Sequence, residues 1–213
     1  MDIVFDFGNV LFEWNPARLV ADWFPASARA EWAADRLAHT LVAHHDWQAF
    51  DVGRISSREL ARRCATRLDL PVDALTAFIE QIPNVLPLID ETVVCTDALM
   101  RASTDGQRLY YLSNMPLPWA DVLEARCPWI TRFDDGIFSA RVQLAKPDPA
   151  IYALAEVRFG LDPANTLFLD DVADNVAAAR ARGWHAEQIT TPDSVRQALR
   201  RHGIAEPDAC VRP

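Results

Sequence analysis

Acidic side chains stand where apolar segments of this chain end, and such carboxylates can bind a divalent metal ion. Asp6 follows the apolar run 3–5, and Asp170 and Asp171 follow the run 166–169. Mg²⁺ prefers oxygen ligands and keeps several waters, so Asp6 and Asp171 on neighbouring strand ends would suit it. The Asp6 carboxylate could also attack phosphorus while a metal neutralises charge. These residues predict a metal-assisted reaction of a phosphorylated substrate.

A polar pair, Ser113-Asn114, and a single lysine could hold the phosphate. The chain has twenty arginines and one lysine, Lys146, with Pro147 and Pro149 beside it. An ammonium differs from a guanidinium in size, hydration and donor geometry, so a site that needs the ammonium resists exchange. We therefore predict that the Ser113 hydroxyl, a following backbone N–H and the Lys146 ammonium bind phosphate oxygens.

Three continuous apolar runs carry these residues. The runs span 3–5, 109–112 and 166–169, and each ends in polar residues. Apolar strands without alternation are typical of a parallel sheet that is covered on both faces. Ligands of open α/β sheets bind at the carboxyl ends of the strands. We therefore expect the candidate residues to meet at one edge of the sheet.

Helical patterns alternate with these strands and predict the fold class. Helices are predicted over 148–159, over 172–182, and from Pro192 to Gly203 with Thr191 as the cap. We predict an α/β fold, a three-layer Rossmann-like core with a mostly parallel sheet, over residues 1–14 and 84–213.

Residues 15–83 differ, because they read as helical throughout without a convincing strand. Ser56–Glu59 has the pattern of a capping box, and apolar residues at helical spacing mark another helix. That stripe consists of Leu75, Phe78, Ile79 and Ile82. We predict that residues 15–83 form a helical cap, inserted between the first and second strands of the core.

Composition limits the possible partners. The chain has 213 residues, of which half are apolar, and a net charge of −9. A strongly acidic chain argues against a nucleic-acid or membrane footprint, so we expect neither partner. The chain shows no signal-peptide pattern, and we expect a cytoplasmic protein with reduced thiols of unknown oligomeric state. The cysteines, which lack paired metal-ligand spacing, are Cys64, Cys95, Cys127 and Cys210.

Four segments resemble, in order, the motifs of the haloacid dehalogenase superfamily. These segments are Ile3–Leu11, Leu112–Asn114, Lys146–Pro149 and Leu169–Asn175. The resemblance covers essentially the whole chain, and one class of these enzymes carries a helical cap where residues 15–83 lie. It implies that Asp6 is the nucleophile and forms an aspartyl-phosphate. It also implies that Asp6, the Gly8 carbonyl and Asp171 bind Mg²⁺.

The same resemblance implies roles for the remaining candidates. Ser113, Asn114 and Lys146 would bind the phosphate, with Lys146 and Asp170 also counted among the catalytic residues. Asp170 and Asn175 would support the metal site and the lysine from behind. The expected partner is a small phosphorylated metabolite.

Gly8 departs from the pattern of most phosphatases in this superfamily. They place a second Asp two residues after the nucleophile, as general acid and base. The segment Phe5–Val10 resembles a bacterial subgroup that includes glucose-1-phosphate phosphatases. Glycine still offers a carbonyl to Mg²⁺ but cannot protonate a leaving group. We expect the proton to come from Glu13, the cap or water, unless the substrate needs little help.

The segment His44–Trp47 invites comparison with a metal site. Adjacent histidines on a helix point about 100° apart and no third ligand is evident, which disfavours that interpretation. The alternatives are a cap segment that faces the active site, with His45, Trp47 or Asp51 touching the substrate, and a packing corner. Four of the seven tryptophans, more typical of a core than of a sugar-stacking platform, are Trp14, Trp23, Trp32 and Trp47.

The predicted function is Mg²⁺-dependent hydrolysis of a small phosphate monoester, with a sugar phosphate as one candidate, through an aspartyl-phosphate. One alternative is a 2-haloacid dehalogenase, which also uses an aspartate nucleophile and lacks the second Asp. By resemblance, those enzymes need no Mg²⁺ and have no use for the Asp170-Asp171 pair. A second alternative is a non-catalytic phosphate-ligand binding protein, which only Gly8 supports.

Overall fold

The central element is one parallel sheet of five strands. The computed structural model describes residues 1–25, 27, 33–102 and 106–204, so Trp32 and Cys210 lie outside the described residues. The strands are β1 (Asp2–Phe5), β2 (Leu109–Ser113), β3 (Asp135–Phe138), β4 (Thr166–Asp170) and β5 (His185–Gln188). Their spatial order is β3-β2-β1-β4-β5, and every neighbouring pair is parallel.

The three predicted strands form the centre of this sheet. Every residue of β1, β2 and β4 is buried, as continuous apolar runs indicate. In β1, Ile3 and Phe5 belong to one hydrophobic cluster, whereas Val4 belongs to a second. The sheet is therefore covered on both faces.

The two outer strands, β3 and β5, were not predicted from the sequence. Each has four residues, and β5 exposes both His185 and Gln188. A short edge strand with polar residues has no apolar run to mark it. Backbone pairing to β2 and β4 defines these strands instead.

Six helices lie between β1 and β2 in the described part of the chain. They are α1 (Pro16–Trp23), α2 (Ala33–Val42), α3 (His45–Asp51), α4 (Ser57–Leu68), α5 (Val72–Val85) and α6 (Asp90–Ala102). Helices and turns, without a strand, fill the described positions of 15–83, as predicted. A single hydrophobic cluster continues from β1 into α5. The division into a core and a cap at residues 15 and 83 stays a prediction.

Further helices follow β2 and cover the sheet. They are α7 (Leu117–Arg126), α8 (Ser139–Val142), α9 (Pro149–Phe159), α10 (Ala173–Ala181) and α11 (Pro192–Arg201), with 3₁₀ turns at Pro128–Arg132 and Pro163–Asn165. Apolar residues of α9 and α10 pack on one face, and those of α6, α7 and α11 pack on the other. This arrangement is the predicted three-layer α/β fold. Among the described residues, no helix combines the length and the apolarity that crossing a membrane requires.

The predicted helix ends agree with the structure to within one or two residues. The Asp148 side chain accepts a hydrogen bond from the Ala150 N–H at 2.9 Å, and Gly160 ends α9 with φ 63°. The Thr191 hydroxyl accepts from the Ser194 N–H at 3.3 Å. Helix α11 ends at Arg201, two residues before the predicted Gly203.

The capping box at Ser56 forms only in part. The Ser56 hydroxyl accepts from the Glu59 N–H at 3.2 Å, which begins α4 as predicted. The Glu59 carboxylate does not return to the Ser56 N–H, because it accepts from Arg62 at 2.9 Å and from Arg63 at 2.6 Å. The sequence shows Arg62 and Arg63 one turn after Glu59. It does not show that they, and not the Ser56 N–H, donate to the Glu59 carboxylate, because that depends on side-chain positions.

Candidate active site

The carboxyl ends of β1, β2 and β4 open onto a cavity of about 260 Å³. Its polar lining includes nearly all of the site residues predicted from the sequence. They are Asp6, Gly8, Ser113, Asn114, Lys146, Asp171 and Asn175. The sheet therefore brings together residues that are up to 169 positions apart in the chain, as the rule for parallel strand ends predicts.

Lys146 joins two carboxylates inside the protein. Its ammonium donates to Asp170 Oδ2 at 2.6 Å and lies 2.9 Å from Asp6 Oδ1. The whole residue is 4% exposed, and burial alone would lower the pKa of the ammonium. The charges of Asp170 and Asp6 outweigh burial and raise that pKa. Lys146 is therefore a permanently charged group at the base of the cavity.

Asp170 is fully buried and does not line the cavity. Its Oδ1 accepts from the Val172 N–H at 2.8 Å and from Asn175 Nδ2 at 3.0 Å. Its Oδ2 accepts from Lys146 and, at 3.1 Å, from Asn175. Protein donors occupy both oxygens, so Asp170 positions Lys146 and Asn175 and has no oxygen left for a substrate.

Asn114 holds the loop that carries Lys146. Its Nδ2 donates to the Lys146 carbonyl at 2.9 Å, and its Oδ1 accepts from the Lys146 N–H at 2.8 Å. Both ends of the amide are therefore engaged. Asn114 could therefore bind a phosphate only through its backbone. The Ser113 hydroxyl lies at the end of β2, in the cavity wall.

Three carboxylates form a compact acidic group. Asp6, Asp170 and Asp171 each offer an oxygen, and these oxygens lie within 4.8 Å of one another. The buried Asp6 Oδ1 lies 2.9 Å from the Lys146 ammonium, which also pairs with Asp170. Three carboxylates therefore face one ammonium, and the excess negative charge at Asp6 and Asp171 fits a hard cation such as Mg²⁺.

The pKa values of these carboxyl groups reflect the same crowding. Burial raises the pKa of Asp6 to about 7, with Lys146 opposing and Asp170 and Asp171 adding to the rise. Burial also raises the pKa of Asp171. A divalent cation would favour the ionised forms of both groups, since it supplies the missing positive charge.

Asn9 is a site residue to which the sequence analysis assigned no role. It adopts the left-handed conformation, with φ 50°, which asparagine tolerates better than most residues. Its Nδ2 donates to Asp171 Oδ2 at 2.9 Å, and its Oδ1 accepts from the Trp14 N–H at 2.8 Å. Asn9 thus orients Asp171. In the sequence, the Gly8-Asn9 pair shortly after the first strand could have indicated this turn and its role.

Helix α3 contributes an aromatic ring and a carboxyl group to the cavity wall. Trp47 and Asp51 of α3 line it, whereas His45 lines a neighbouring cavity of about 570 Å³ with Asp51, Asn114 and Lys146. Trp47 is also part of the core, since it is 5% exposed and its ring packs against other aromatic rings. Those rings belong to Trp14, Phe50 and Trp119.

Glu13 also lines the cavity, but its carboxylate faces solvent in part. The side chain is 50% exposed and lies 3.6 Å from the Arg18 guanidinium. Glu13 therefore stands at the solvent-facing rim of the cavity, beside Arg18.

The His44–Asp46 segment forms an ion-pair network. His44, His45 and Asp46 each offer one potential metal-ligand atom, and these atoms lie within 4.8 Å of one another. The buried Asp46 carboxylate, however, accepts hydrogen bonds from Arg67 at 2.7 Å and from Arg63 at 3.2 Å. Burial would raise the pKa of Asp46, yet these hydrogen bonds hold it below its usual range. Asp46 is a third potential ligand that the sequence analysis did not count, but its carboxylate is occupied by the two guanidinium groups.

Comparison with known sequences gives one family and several relatives. Residues 3–183 match the family model for haloacid dehalogenase-like hydrolase. The sesquiterpene phosphatase astK of Aspergillus oryzae is 26% identical over 189 residues, which are 88% of this chain and 88% of that protein.

Solved structures share the fold. One is an enzyme of this family from Bacteroides thetaiotaomicron in complex with magnesium and inorganic phosphate, with a TM-score of 0.68 and 17% identity over 88% of this chain and 92% of that chain. Another is the L-2-haloacid dehalogenase of Xanthobacter autotrophicus with chloropropionic acid covalently bound. It has a TM-score of 0.65 and 21% identity over 96% of this chain and 84% of that chain.

Proposed function

Because the chain belongs to the haloacid dehalogenase-like hydrolases, we propose that it is a Mg²⁺-dependent phosphatase that hydrolyses a small phosphate monoester. The observation that carries this proposal is that one buried ammonium lies between Asp6 and Asp170, beside the Asp171 carboxylate, at one end of a cavity. The ammonium suits a phosphate, and the acidic group suits a cation.

The reaction would proceed in two displacements at phosphorus. An Asp6 carboxylate oxygen attacks phosphorus, and the bond to the ester oxygen breaks, which leaves a phosphoryl group on Asp6. Water then attacks the same phosphorus and the bond to Asp6 breaks, which releases phosphate. Lys146 balances negative charge on the phosphoryl oxygens, and the Ser113 hydroxyl donates a hydrogen bond to one of them.

Magnesium would be held by the Asp6 and Asp171 carboxylates and the Gly8 carbonyl. When bound, it would neutralise charge on the nucleophile and on the phosphate. Asp170 and Asn175 keep Lys146 in place, and Asn9 orients Asp171.

The acidic group favours phosphatase activity over dehalogenation. A dehalogenase of this superfamily would make no use of a cation site, whereas the neighbouring carboxylates of Asp6 and Asp171 suit one. The Aspergillus oryzae relative is a phosphatase, and the Bacteroides thetaiotaomicron neighbour was solved with magnesium and inorganic phosphate. A non-catalytic binding protein would have no need of a nucleophile beside the lysine.

The walls of the cavity favour a substrate with an apolar alcohol portion. Beyond the acidic end, the lining is largely aromatic and aliphatic, and Trp119 already donates its indole N–H to the Ile79 carbonyl at 2.9 Å. The apolar lining includes Phe12, Trp14, Val42, Trp47, Leu86, Met115 and Trp119. Recognition of a sugar requires several converging polar groups. Away from the acidic end, the polar side chains among the described lining residues are those of Glu13 and Asp51.

The Aspergillus oryzae relative is a sesquiterpene phosphatase, which agrees with an apolar substrate. We therefore propose the phosphate ester of an apolar alcohol, such as an isoprenoid, and retain a sugar phosphate such as glucose 1-phosphate as the competing prediction.

The test is phosphate release from a panel of esters by purified protein, with Mg²⁺ and with chelator. The panel contains an aryl phosphate, an isoprenoid monophosphate, glucose 1-phosphate and glucose 6-phosphate, and 2-chloropropionate is assayed for halide release. We expect Mg²⁺-dependent phosphate release and no halide. Metal-independent halide release would establish the dehalogenase instead, and ester binding without turnover would establish the binding protein.

The Asp6→Asn variant tests the nucleophile. An amide neither attacks phosphorus nor balances Mg²⁺, so we expect turnover to fall by at least about 10³-fold while the circular dichroism spectrum is unchanged. Asp193→Asn, an exposed aspartate paired with Arg196 on α11, serves as the matched control. Turnover by Asp6→Asn at the wild-type rate would end the covalent mechanism.

A further inference from the structure

The proposed reaction lacks an obvious proton donor, because residue 8 has no side chain. The fold does not demand glycine there. A Cβ atom on Gly8 would lie 3.9 Å from Trp14 Cβ and 4.0 Å from Asp6 Oδ2, which are ordinary contacts. A leaving alkoxide still needs a proton, which a carboxyl group in the cavity wall could supply.

Asp51 places a carboxyl group in the wall of this cavity. It is the last residue of α3 and lines the cavity that also contains Asp6 and Lys146. It lines the neighbouring cavity as well, so its carboxyl group stands between two spaces that a substrate or water can occupy. Among the described residues, none forms an ion pair or a side-chain hydrogen bond with this carboxyl group. It is therefore available to a ligand.

The backbone of Asp51 is fixed against the core. The hydroxyl of Ser139, a fully buried residue of α8, donates to the Asp51 carbonyl. Two residues later the chain passes close to α8 at Gly53, where φ is 72° and a Cβ atom would lie 3.1 Å from the Ala140 carbonyl oxygen. Contact with the core at both points keeps the end of α3 at the cavity.

We propose that Asp51 is the general acid and base of the phosphatase, and that it performs the proton transfers for which Gly8 has no side chain. This proposal rests on the proposed function. In the first displacement, the Asp51 carboxyl group gives its proton to the ester oxygen as the bond from phosphorus to that oxygen breaks. The products are the free alcohol, Asp51 carboxylate and phosphorylated Asp6.

In the second displacement, the Asp51 carboxylate takes a proton from the attacking water. The water oxygen forms a bond to phosphorus, and the bond from phosphorus to Asp6 breaks. Phosphate leaves, Asp6 is again a carboxylate and Asp51 is again protonated, so protons and charge balance over the cycle.

The environment of Asp51 favours its protonated form. Burial raises its pKa to about 8, so the acid form predominates below that pH. Arg63 and Arg67 of α4 bind Asp46, and Arg141 of α8 binds Glu124, so these three guanidinium groups are engaged elsewhere. The titratable groups that line the two cavities with it are Asp6, Glu13, His45, Arg54, Lys146, Asp148 and Asp171.

Glu13 is the competing candidate. Its side chain is half exposed to solvent, and its carboxylate already lies 3.6 Å from the Arg18 guanidinium. The Asp51 carboxyl group has no such partner among the described residues. Glu13 therefore fits the role less well than Asp51.

The experiment compares two esters that differ in their need for an acid. An aryl phosphate with an acidic leaving group, such as 4-nitrophenyl phosphate, needs no proton, whereas a primary alkyl phosphate does. For Asp51→Asn we expect kcat/KM for the alkyl ester to fall about 10²–10⁴-fold and for the aryl ester to fall less than about tenfold. Formation of the phosphorylated enzyme should be measured in single turnovers.

A pH profile and a rescue variant separate this role from a structural one. The wild-type rate for the alkyl ester should decline above about pH 8, where Asp51 loses its proton, and Asp51→Asn should lack this decline. Adding Gly8→Asp to Asp51→Asn should restore much of the alkyl-ester rate, since a side chain fits at residue 8. A variant that merely damaged the end of α3 would not be restored.

The outcomes distinguish the two proposals. Equal losses with both esters, no loss with either, or a selective loss in Glu13→Gln but not in Asp51→Asn would overturn the role of Asp51 and leave the phosphatase standing. If wild-type protein cleaves neither ester, the phosphatase proposal fails, and the role of Asp51 fails with it.

Discussion

Lys146 shows how a single residue acquires a role from its neighbours. Its ammonium lies 2.6 Å from one Asp170 oxygen and 2.9 Å from one Asp6 oxygen, with almost no exposure to solvent. Burial of an isolated charge would be very costly, but two carboxylates compensate for the lost hydration. The space between the Asp6 and Asp170 oxygens is filled by the single ammonium group of Lys146.

We predict that Lys146→Arg lowers kcat/KM at least about tenfold. The guanidinium is larger and planar, so it cannot occupy the same position between Asp6 and Asp170 without moving one of them. Steady-state kinetics on the aryl phosphate measure the effect. Arg196→Lys, the reverse exchange at a half-buried arginine that pairs with Asp193 on α11, is the control and should leave the rate nearly unchanged. A Lys146→Arg enzyme as active as wild type would show that the site has no need for an ammonium.

At the scale of secondary structure, α3 is important because it carries Trp47 and Asp51 to the cavity. Its first turn is tied to α4 by Asp46, whose carboxylate accepts from Arg63 and Arg67. The His44 ring is a cap for α3, with Nδ1 at 3.2 Å from the Asp46 N–H. Its last residue is tied to α8 through Ser139. Charge pairs at one end and core contacts at the other hold this short helix.

We predict that Asp46→Asn lowers the free energy of unfolding by about 1–2 kcal/mol at pH 7, because the hydrogen bonds to a buried carboxylate are lost. The pKa of Asp46 is lowered in the folded protein, so its contribution is present above the unfolded-state value and is lost as pH falls through the folded-state value. The difference between variant and wild type should therefore shrink below about pH 4. Urea unfolding at several pH values measures it.

Asp22→Asn is the control for Asp46, because the Asp22 side chain is 74% exposed and lies 3.9 Å from Arg18. Its stability should stay within about 0.5 kcal/mol of wild type at every pH. If Asp46→Asn and Asp22→Asn behave alike, the ion pairs between α3 and α4 do not stabilise the protein.

At the scale of the whole molecule, an acidic protein of net charge −9 concentrates three carboxylates at one end of its sheet. The fold accepts their mutual repulsion because Lys146 compensates for part of it and because a cation can compensate for more. Ion binding should therefore be measurable as stability of the entire fold, without substrate.

We predict that Mg²⁺ raises the melting temperature of metal-free protein. A ligand at about 100 times its Kd stabilises a protein by about 2.7 kcal/mol, which corresponds to a rise of about 5–10 °C for a chain of this size. Asp171→Ala should lose most of this shift, whereas Asp193→Ala on the exposed surface of α11 should keep it. Calorimetry with increasing Mg²⁺ provides the measurement, and a full shift in Asp171→Ala would contradict the assignment of this ligand.

Much of the fold was predictable from the sequence by itself, because strong local signals encoded it. Continuous apolar runs identified β1, β2 and β4, and cap residues identified the beginnings of α4, α9 and α11. A general rule for parallel sheets then predicted one edge at which Asp6, Ser113, Lys146 and Asp171 would meet, and they line one cavity.

Only the tertiary structure decided which polar atoms each site residue has available. Both ends of the Asn114 amide hold the Lys146 loop, both oxygens of Asp170 accept from protein donors, and Asn9 orients Asp171. The sequence shows which side-chain atoms can form hydrogen bonds. Their partners depend on distances between segments that are far apart in the chain.

The same reason applies to Asp51 and to the outer strands. The sequence indicated Asp51 only as one of three possible substrate contacts, and its burial at the cavity results from the packing of α3 against α8. Strands β3 and β5 have little apolar pattern and exist because β2 and β4 offer them backbone partners. Local sequence determines which elements form, whereas burial, charge compensation and edge pairing arise only when those elements pack together.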